Sequence, residues 1–374
     1  MISIIGFFIF ILYFGFIVWL IVAWISIPRL EISKPNATSL STSVIVPIRN
    51  EANNIQSTLQ SILRNKTTNS TFEVIVVNDH STDNSAELVA EMIEQSPNLR
   101  LVSLPENSKG KKKAIELGVE VAKGEIIVCT DGDCIVPEKW LATYERMYNA
   151  KPHCLLFFGG VKYGSDSKLL TAILNIELSA LVLVGAATMH RGKPSMINGA
   201  NISYKKSAFE SVEGYSQRIK TPSGDDEFLL RDIHKSFQGK IEFVKDENTI
   251  VSTSSPTNLS ALFQQRKRWA SKWKYHKDLP SRIIPVFVFI LNLFSLLFLF
   301  QLTFGQNFEV PLLLLVFKAM MEWWLLKKST SFLSVRMRFV HFVLLQIIYP
   351  FYVVFFGIAS NFGKYAWKDR HYAN

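Results

Sequence analysis

Two uncharged apolar runs bracket the middle of this chain and constrain what it can fold into. Met1 to Ile27 carries no charge before Arg29, and Ile283 to Phe304 carries none at all. About 20 apolar residues cross a bilayer as a helix, so each run is long enough to span one. The first lacks the basic start and small-residue cleavage site of a secretory leader, and Pro28-Arg29 follows it. It reads as a retained anchor over 1–28. Further helices of this kind are expected over 283–362. Val310 to Leu326 is the weaker one because it holds Lys318 and Glu322. Their spacing of four puts both on one helix face, where they can pair. Charge at membrane depth otherwise marks a packed or functional interior. Phe339 to Phe362 carries Pro350 and Gly357, which allow a kink.

Charge follows the same geography. The 374 residues carry a formal +10, much of it in Arg266 to Lys277, Lys327 to Arg338 and the tail from Lys364. These stretches adjoin apolar runs, so anionic lipid headgroups explain them and nucleic acid is not an expected partner. Cys129, Cys134 and Cys154 have no metal-binding spacing and read as reduced thiols facing the cytosol. Arg29 and Lys34 put the central segment on the cytosolic side, and the basic loop from Lys327 to Arg338 belongs there too. Three C-terminal spans would then send the basic tail outside, so one segment is expected to be re-entrant or interfacial. The expected location is the inner or plasma membrane of a bacterium.

Between the apolar runs, over 41–277, the periodicity alternates strand and helix. Ser43 to Pro47, Phe72 to Val77, Leu101 to Leu104 and Glu125 to Thr130 read as strands. Glu51 to Leu63, Ser85 to Ile93 and Ala114 to Ala122 read as helices. Repeated β-α-β units imply an α/β domain with a parallel sheet and helices on both faces. Ligands of such sheets bind beyond the carboxyl ends of the strands. Asp79 follows the second strand, and Asp131-Gly132-Asp133 follows the fourth, so both lie on one rim.

Each motif has a plain structural reading beside the chemical one. Asp79 lies in a turn-rich Asn-Asp-His-Ser-Thr-Asp segment, where Ser81 or Asp83 would cap the next helix. An Asp at a strand end can also receive a base amide or a ribose hydroxyl. Asp131 and Asp133 form either a solvated acidic turn or a site where a cation relieves their repulsion and bridges them to a diphosphate. Asp225, Asp226 and Glu227 either complement the dipole of the helix they open or include a general base, with Asp226 the choice. Gln265-Arg266-Lys267-Arg268-Trp269 is either a juxtamembrane anchor or a source of positive charge, from Arg268, for a diphosphate leaving group. Lys109 to Lys113 is a basic loop without P-loop spacing; it either touches donor phosphates or faces solvent, and most of it is expected to face solvent. Asn198-Gly199-Ala200-Asn201 is a tight turn or part of an acceptor pocket.

Taken as an ordered set, these motifs resemble family 2 of the glycosyltransferases, with the GT-A fold. The resemblance runs from about Ser43 to Trp273 and adds the opening Val46, Pro47, Asn50 and Glu51. It implies a Rossmann-like, mostly parallel sheet with transmembrane helices at both ends. It implies that Pro47, Asn50, Glu51, Asp79, Asp131, Asp225, Gln265, Arg268 and Trp269 bind substrate, that Asp133 ligands Mg²⁺ or Mn²⁺, and that Asp226 is the catalytic base. Asn78 departs from the family, where an additional Asp is common. The implied reaction is inverting transfer from a nucleotide-sugar to a hydroxyl or phosphate of a lipid or glycolipid. A processive polysaccharide synthase is the alternative, and a non-catalytic nucleotide-binding membrane protein the second alternative.

Overall fold

A computed structural model describes residues 2–29, 39–67, 71–164, 168–215, 224–271, 279–305, 308–362, 364–367 and 370–373. In chain order its elements begin with α1 (Ile2–Ser26), β1 (Thr42–Ile48), α2 (Ile55–Leu63), β2 (Phe72–Asn78), α3 (Ser85–Ile93) and β3 (Leu99–Ser103). There follow α4 (Lys111–Val121), β4 (Ile126–Cys129), β5 (Cys134–Ile135), α5 (Trp140–Ala150), β6 (Leu156–Phe158), β7 (Val161–Tyr163) and α6 (Leu169–His190). Then come β8 (Ile202–Lys205), α7 (Lys206–Ser211), α8 (Asp225–Ser236), β9 (Ile241–Phe243), β10 (Val251–Thr253) and α9 (Leu259–Ser271). The chain closes with α10 (Leu279–Phe304), α11 (Glu309–Phe332), α12 (Phe339–Ala359) and a hairpin of β11 (Lys364–Trp367) and β12 (Arg370–Ala373). The chain divides into two compact units. One is a sheet unit, Ser26–Gly164 with Val184–Ser255; the other is a helical unit, Met1–Ile25 with Ser165–Leu183 and Pro256–Asn374.

The sheet unit is built on seven strands in the order β3-β2-β1-β4-β8-β6-β9. β1 lies parallel between β2 and β4, and Val44, Ile45 and Val46 are fully buried, as a central β-branched strand demands. β3 to β4 follow the expected β-α-β pattern. β8 departs from it, running antiparallel to both β4 and β6, so the sheet is mixed. α4 packs close to β1 because Gly118 has no Cβ; one placed there would lie 2.6 Å from Ile45 Cγ2. α2 starts later than the expected Glu51, because Asn54 and Ile55 both donate to the Glu51 carbonyl in a turn. A second, three-stranded sheet has the order β5-β10-β7. The strand order reverses direction between β1 and β4, and that switch point is where open α/β sheets place ligands.

The helical unit holds α1, the first two thirds of α6, and α9 to α12. Its core includes Ile176, Leu326, Met337, Phe342 and Leu345, with Trp323 packed against them. Among the described residues four helices are long and apolar enough to cross a membrane: Ile4–Ser26, Leu169–His190, Arg282–Phe304 and Phe339–Ala359. The second of these was not expected from the sequence. α11 is one continuous helix, and its two charges pair as their spacing required: Lys318 Nζ lies 2.9 Å from Glu322. Gln346 of α12 donates to Glu322 at 2.6 Å and accepts from Lys318 at 3.1 Å. The Tyr13 hydroxyl of α1 donates to the same glutamate. Lys318 is only 3% exposed, so this neutral, fully hydrogen-bonded group is what makes its burial tolerable.

Candidate active site

The loops after β1, β2 and β4 meet at the switch point. After β1 the chain turns through Asn50, which adopts a left-handed φ of 51°. Its side-chain oxygen accepts from Thr82 N at 2.8 Å, and its backbone N–H donates to Ser81 Oγ at 3.1 Å. His80 is left-handed as well, with φ 54°. Arg49 holds that turn by donating to the carbonyls of Asp79 and His80 at 2.8 and 2.6 Å. Two adjacent non-glycine residues on facing loops in this conformation mark a rim whose shape is over-determined by its hydrogen bonds. Asp83 does not cap the next helix through its leading N–H groups alone. It accepts from Ser85 N and from Ala52 N, each at 3.1 Å, and so ties the second loop to the first.

Glu51 and the acidic triplet are neighbours. A Cβ on Gly132 would stand 3.0 Å from Glu51 Cγ and from Ile48 Cγ2, so glycine is what lets the triplet close onto the β1 loop. Thr58 of α2 donates to the Gly132 carbonyl at 3.0 Å. Pro47 lies within β1 itself, its register partner being Val77 of β2.

The basic loop expected to face solvent is instead the hub of the site. Gly110, with φ 101°, donates its N–H to Asp79 Oδ2 at 3.0 Å, and Asp79 is buried. Lys111 Nζ lies 2.6 Å from Asp131 Oδ1. Lys112 is 7% exposed and sits 5.0 Å over the ring of Phe228, in α8. Phe228 in turn packs on Gly224, whose φ of 86° opens α8 just before Asp225 and Asp226. The start of α4 thus touches Asp79 and Asp131 directly and the helix that carries Asp225 and Asp226 through Phe228. Sequence reasoning missed Gly110, Lys111 and Lys112; a glycine before a lysine triplet at a helix start was the signal available.

Asp226 is held on both oxygens. Gly199 N donates to Oδ2 and Glu227 N to Oδ1, each at 2.8 Å. The Asn198–Asn201 turn therefore serves the candidate base. Glu227 does not compete for that role, because Arg231 pairs with it at 2.6 Å and also donates to the Ser195 carbonyl at 3.2 Å. Asp225 is the first residue of α8.

Asp133 accepts from Thr253 Oγ1 at 3.2 Å, which links it to β10. Burial, then the charges of Asp133 and Asp131, push the Cys134 thiol well above its ordinary range, and that thiol donates to Asp133 Oδ1 at 3.7 Å. Among the described residues no three His, Cys, Asp or Glu side chains gather into a cage for a cation. The donors on offer are carboxylate oxygens, hard ligands that suit Mg²⁺ or Mn²⁺. One or two carboxylates, completed by phosphate oxygens and water, is the usual shell for such an ion, so the residues fit it. Lys111 pairs with Asp131, and Asp133 accepts hydrogen bonds from Thr253 and Cys134.

Gln265, Arg268 and Trp269 lie on α9, in the helical unit. The guanidinium of Arg266 stands 4.3 Å over the Trp269 ring, so one flat face of that indole is already covered. Lys34 and the Lys272–His276 stretch lie outside the described residues.

Comparison with known proteins agrees with this geometry. The sequence profile of the family described as "Glycosyl transferase family 2" matches residues 43–211. Poly-β-1,6-N-acetyl-D-glucosamine synthase of Staphylococcus aureus is 29% identical over 227 residues, 59% of this chain and 52% of that protein. The Staphylococcus epidermidis synthase of the same name is 25% identical over 232 residues, 61% of this chain and 53% of its own. The chain thus spans about half the length of the curated relatives it matches. Among solved structures, mannosyltransferase PcManGT from Pyrobaculum calidifontis, in complex with GDP-Man and Mn²⁺, has the same fold. Its TM-score is 0.59 at 18% identity, over 96% of each chain.

Proposed function

This chain belongs to glycosyltransferase family 2, and from that premise we propose that it moves a sugar from a nucleotide-sugar to an acceptor hydroxyl by a single inverting displacement. The observation that carries the reading is the start of α4, which joins Asp79, Asp131 and the head of α8 through Gly110, Lys111 and Lys112. A scaffold protein without catalysis has no need of such convergence.

Asp79 receives the donor's base or ribose, with Asn50 and Glu51 on the facing loop. The Asp226 carboxylate, kept in place by Gly199 and Glu227, takes the proton from the acceptor hydroxyl. That oxygen bonds to the anomeric carbon from the side opposite the diphosphate. The old carbon–oxygen bond breaks, and the nucleoside diphosphate departs with the electron pair. Configuration inverts, and no sugar is attached to the protein at any stage. Gln265 and Arg268 offer hydrogen bonds and positive charge to the departing diphosphate. Trp269 offers apolar surface to sugar or acceptor. Asp133 would hold a divalent cation, which when bound would supply further positive charge to the phosphates.

The curated relatives are named as polysaccharide synthases. They favour a growing glycan as acceptor over the single lipid-linked addition expected from the sequence. A lipid or glycolipid acceptor is the second reading, favoured by the position of Gln265, Arg268 and Trp269 in the unit that carries the long apolar helices. The sheet unit is assigned to the cytosolic side of a bacterial membrane, where nucleotide-sugars are available.

The test uses the full chain in membranes with a panel of radiolabelled UDP- and GDP-sugars. Asp226→Asn is expected to lower transfer by about 10²–10⁴-fold while calorimetry with Mn²⁺ finds donor binding unchanged. Retained turnover in that variant removes Asp226 as the base. Long labelled glycan supports the synthase reading, and one sugar added to lipid moves the acceptor to the second reading.

A further inference from the structure

α6 is a mostly apolar helix in which Glu177 is the one Asp, Glu, Lys or Arg between Leu169 and His190. A lone carboxylate in such a helix is expensive to bury unless a cation meets it. Arg266 does so: its Nη2 lies 2.8 Å from Glu177 Oε2, with the two side chains 3% and 10% exposed. Tyr352 of α12 is a hydrogen-bonding neighbour of the same carboxylate. The arginine stands immediately after Gln265, and its guanidinium carbon lies 4.3 Å from the centre of the Trp269 ring, one helical turn further on.

We propose that Glu177 is a positioning residue for the Gln265, Arg268 and Trp269 motif, acting through the buried Arg266 guanidinium that carries the Trp269 ring. This rests on the role given above to that motif.

The geometry of α9 shows why one carboxylate suffices. At ~100° per residue, the buried residues Arg266, Lys267 and Ser271 fall on one side of the helix. Gln265 and Arg268 fall on the other, about 60° apart from each other. Phe263, beside the buried side, packs on Phe356 of α12 with ring centroids 5.5 Å apart. The helix is therefore held along one side by an ion pair and an aromatic contact, and it presents its functional groups from the opposite side. Apolar packing alone leaves a helix free to roll by small angles. A charge-assisted bond between a carboxylate and a planar guanidinium fixes the roll, and the stacked guanidinium fixes the indole as well. Small misplacement of substrate-positioning groups lowers turnover steeply, by as much as about 10²-fold for 1 Å.

The experiment is a double-substitution cycle on the full chain in membranes. It uses whichever nucleotide-sugar the unsubstituted protein turns over fastest from the UDP- and GDP-sugar panel. Glu177→Gln is expected to lower kcat about 10-fold or more, with the donor KM changed less, because the motif's contacts to the diphosphate strengthen as it departs while Asp79 holds the nucleoside in both states. In a Trp269→Ala background the same change is expected to cost less than about threefold further, because the ring it positions is gone. Arg266→Lys keeps the charge but not the flat stacking surface, and is expected to share the loss. An equal factor for Glu177→Gln in both backgrounds overturns the proposal. So does full turnover per folded molecule in Glu177→Gln or Arg266→Lys, with only a lowered Tm. Full turnover in Trp269→Ala and Arg268→Ala sinks the motif's role itself, a different failure. If Glu177→Gln does not accumulate, Glu177→Asp, which withdraws the carboxylate by one methylene, is read in the same cycle with the same outcomes.

Discussion

The sheet unit and the helical unit handle acidic residues in opposite ways. In the sheet unit Asp131, Asp133 and Asp226 sit in loops or at a helix start, partly exposed, with backbone N–H groups, hydroxyls and one lysine around them. In the helical unit Glu177 and Glu322 lie in apolar helices, each matched to a single cation at 2.8–2.9 Å. Water solvates the first kind, so they remain available to a ligand. The second kind are mostly covered, with side chains 10% and 15% exposed, and their charge is met within the protein. The same side chain is thus a reactive group at a strand end and an orienting or structural group in an apolar helix. What separates the two is whether hydration survives folding.

The largest effect is expected where that difference is sharpest. Glu322→Leu strands Lys318 in an apolar interior and is expected to destabilise the helical unit by about 3–5 kcal/mol, read as a lower Tm in detergent with donor binding unchanged. The double change Lys318→Met with Glu322→Leu removes both charges and is expected to recover most of that loss. If the double variant keeps its Tm yet loses transfer, this pair is functional and the comparison breaks. A middle-sized effect is expected at Gly124, where an added Cβ would lie 2.5 Å from the Ser43 backbone nitrogen. Gly124→Ala is expected to destabilise by about 1–3 kcal/mol, because backbone cannot move aside as a side chain can.

The smallest effect sharpens the solvated side of the comparison. Burial raises the Asp83 carboxyl, but the Ser85 hydroxyl and the N–H groups of Ala52 and Ser85 outweigh it, so the group lies below its ordinary range. Its contribution is then present above about pH 4, the ordinary carboxylate value, and is lost as pH falls through the depressed one. Asp83→Asn should flatten the acid limb of a Tm-against-pH profile. An unchanged limb would mean that the contacts from the second loop do not hold Asn50 and Glu51.

Much of the sheet rim was legible because periodicity and loop position carry it. β2 and α3 end within a residue of where alternation and 3.6-spacing end them, and the acids that follow β2 and β4 had to share an edge. Strand direction is not written in periodicity, and β8 enters reversed. α6 escaped notice because Thr171, Asn175, Glu177 and Ser179 interrupt its apolar run; only the packed structure shows each of them buried. The lysines at the start of α4 looked like a solvated charge run. Lys112 is nonetheless covered, because an aromatic ring from α8, more than a hundred residues later in the chain, lies beneath it. No local rule reaches that far. The acceptor is not written in these motifs: a lipid or glycolipid was expected, and the relatives matched are named as polysaccharide synthases.

Asn201 lies under this rim, wholly buried. Its oxygen accepts from Trp140 Nε1 at 3.0 Å and from the Tyr144 hydroxyl at 2.7 Å, while its nitrogen donates to the carbonyls of Gly160 at 2.8 Å and Thr249 at 2.5 Å. The amide can be seated only one way round. Exchanging its NH₂ for a second oxygen, as deamidation does, would set a lone pair against two carbonyls with no room to turn away. An ageing reaction harmless on a surface would here pry β7 and β8 from the elements around them, so this fold depends on keeping that one nitrogen out of water's reach.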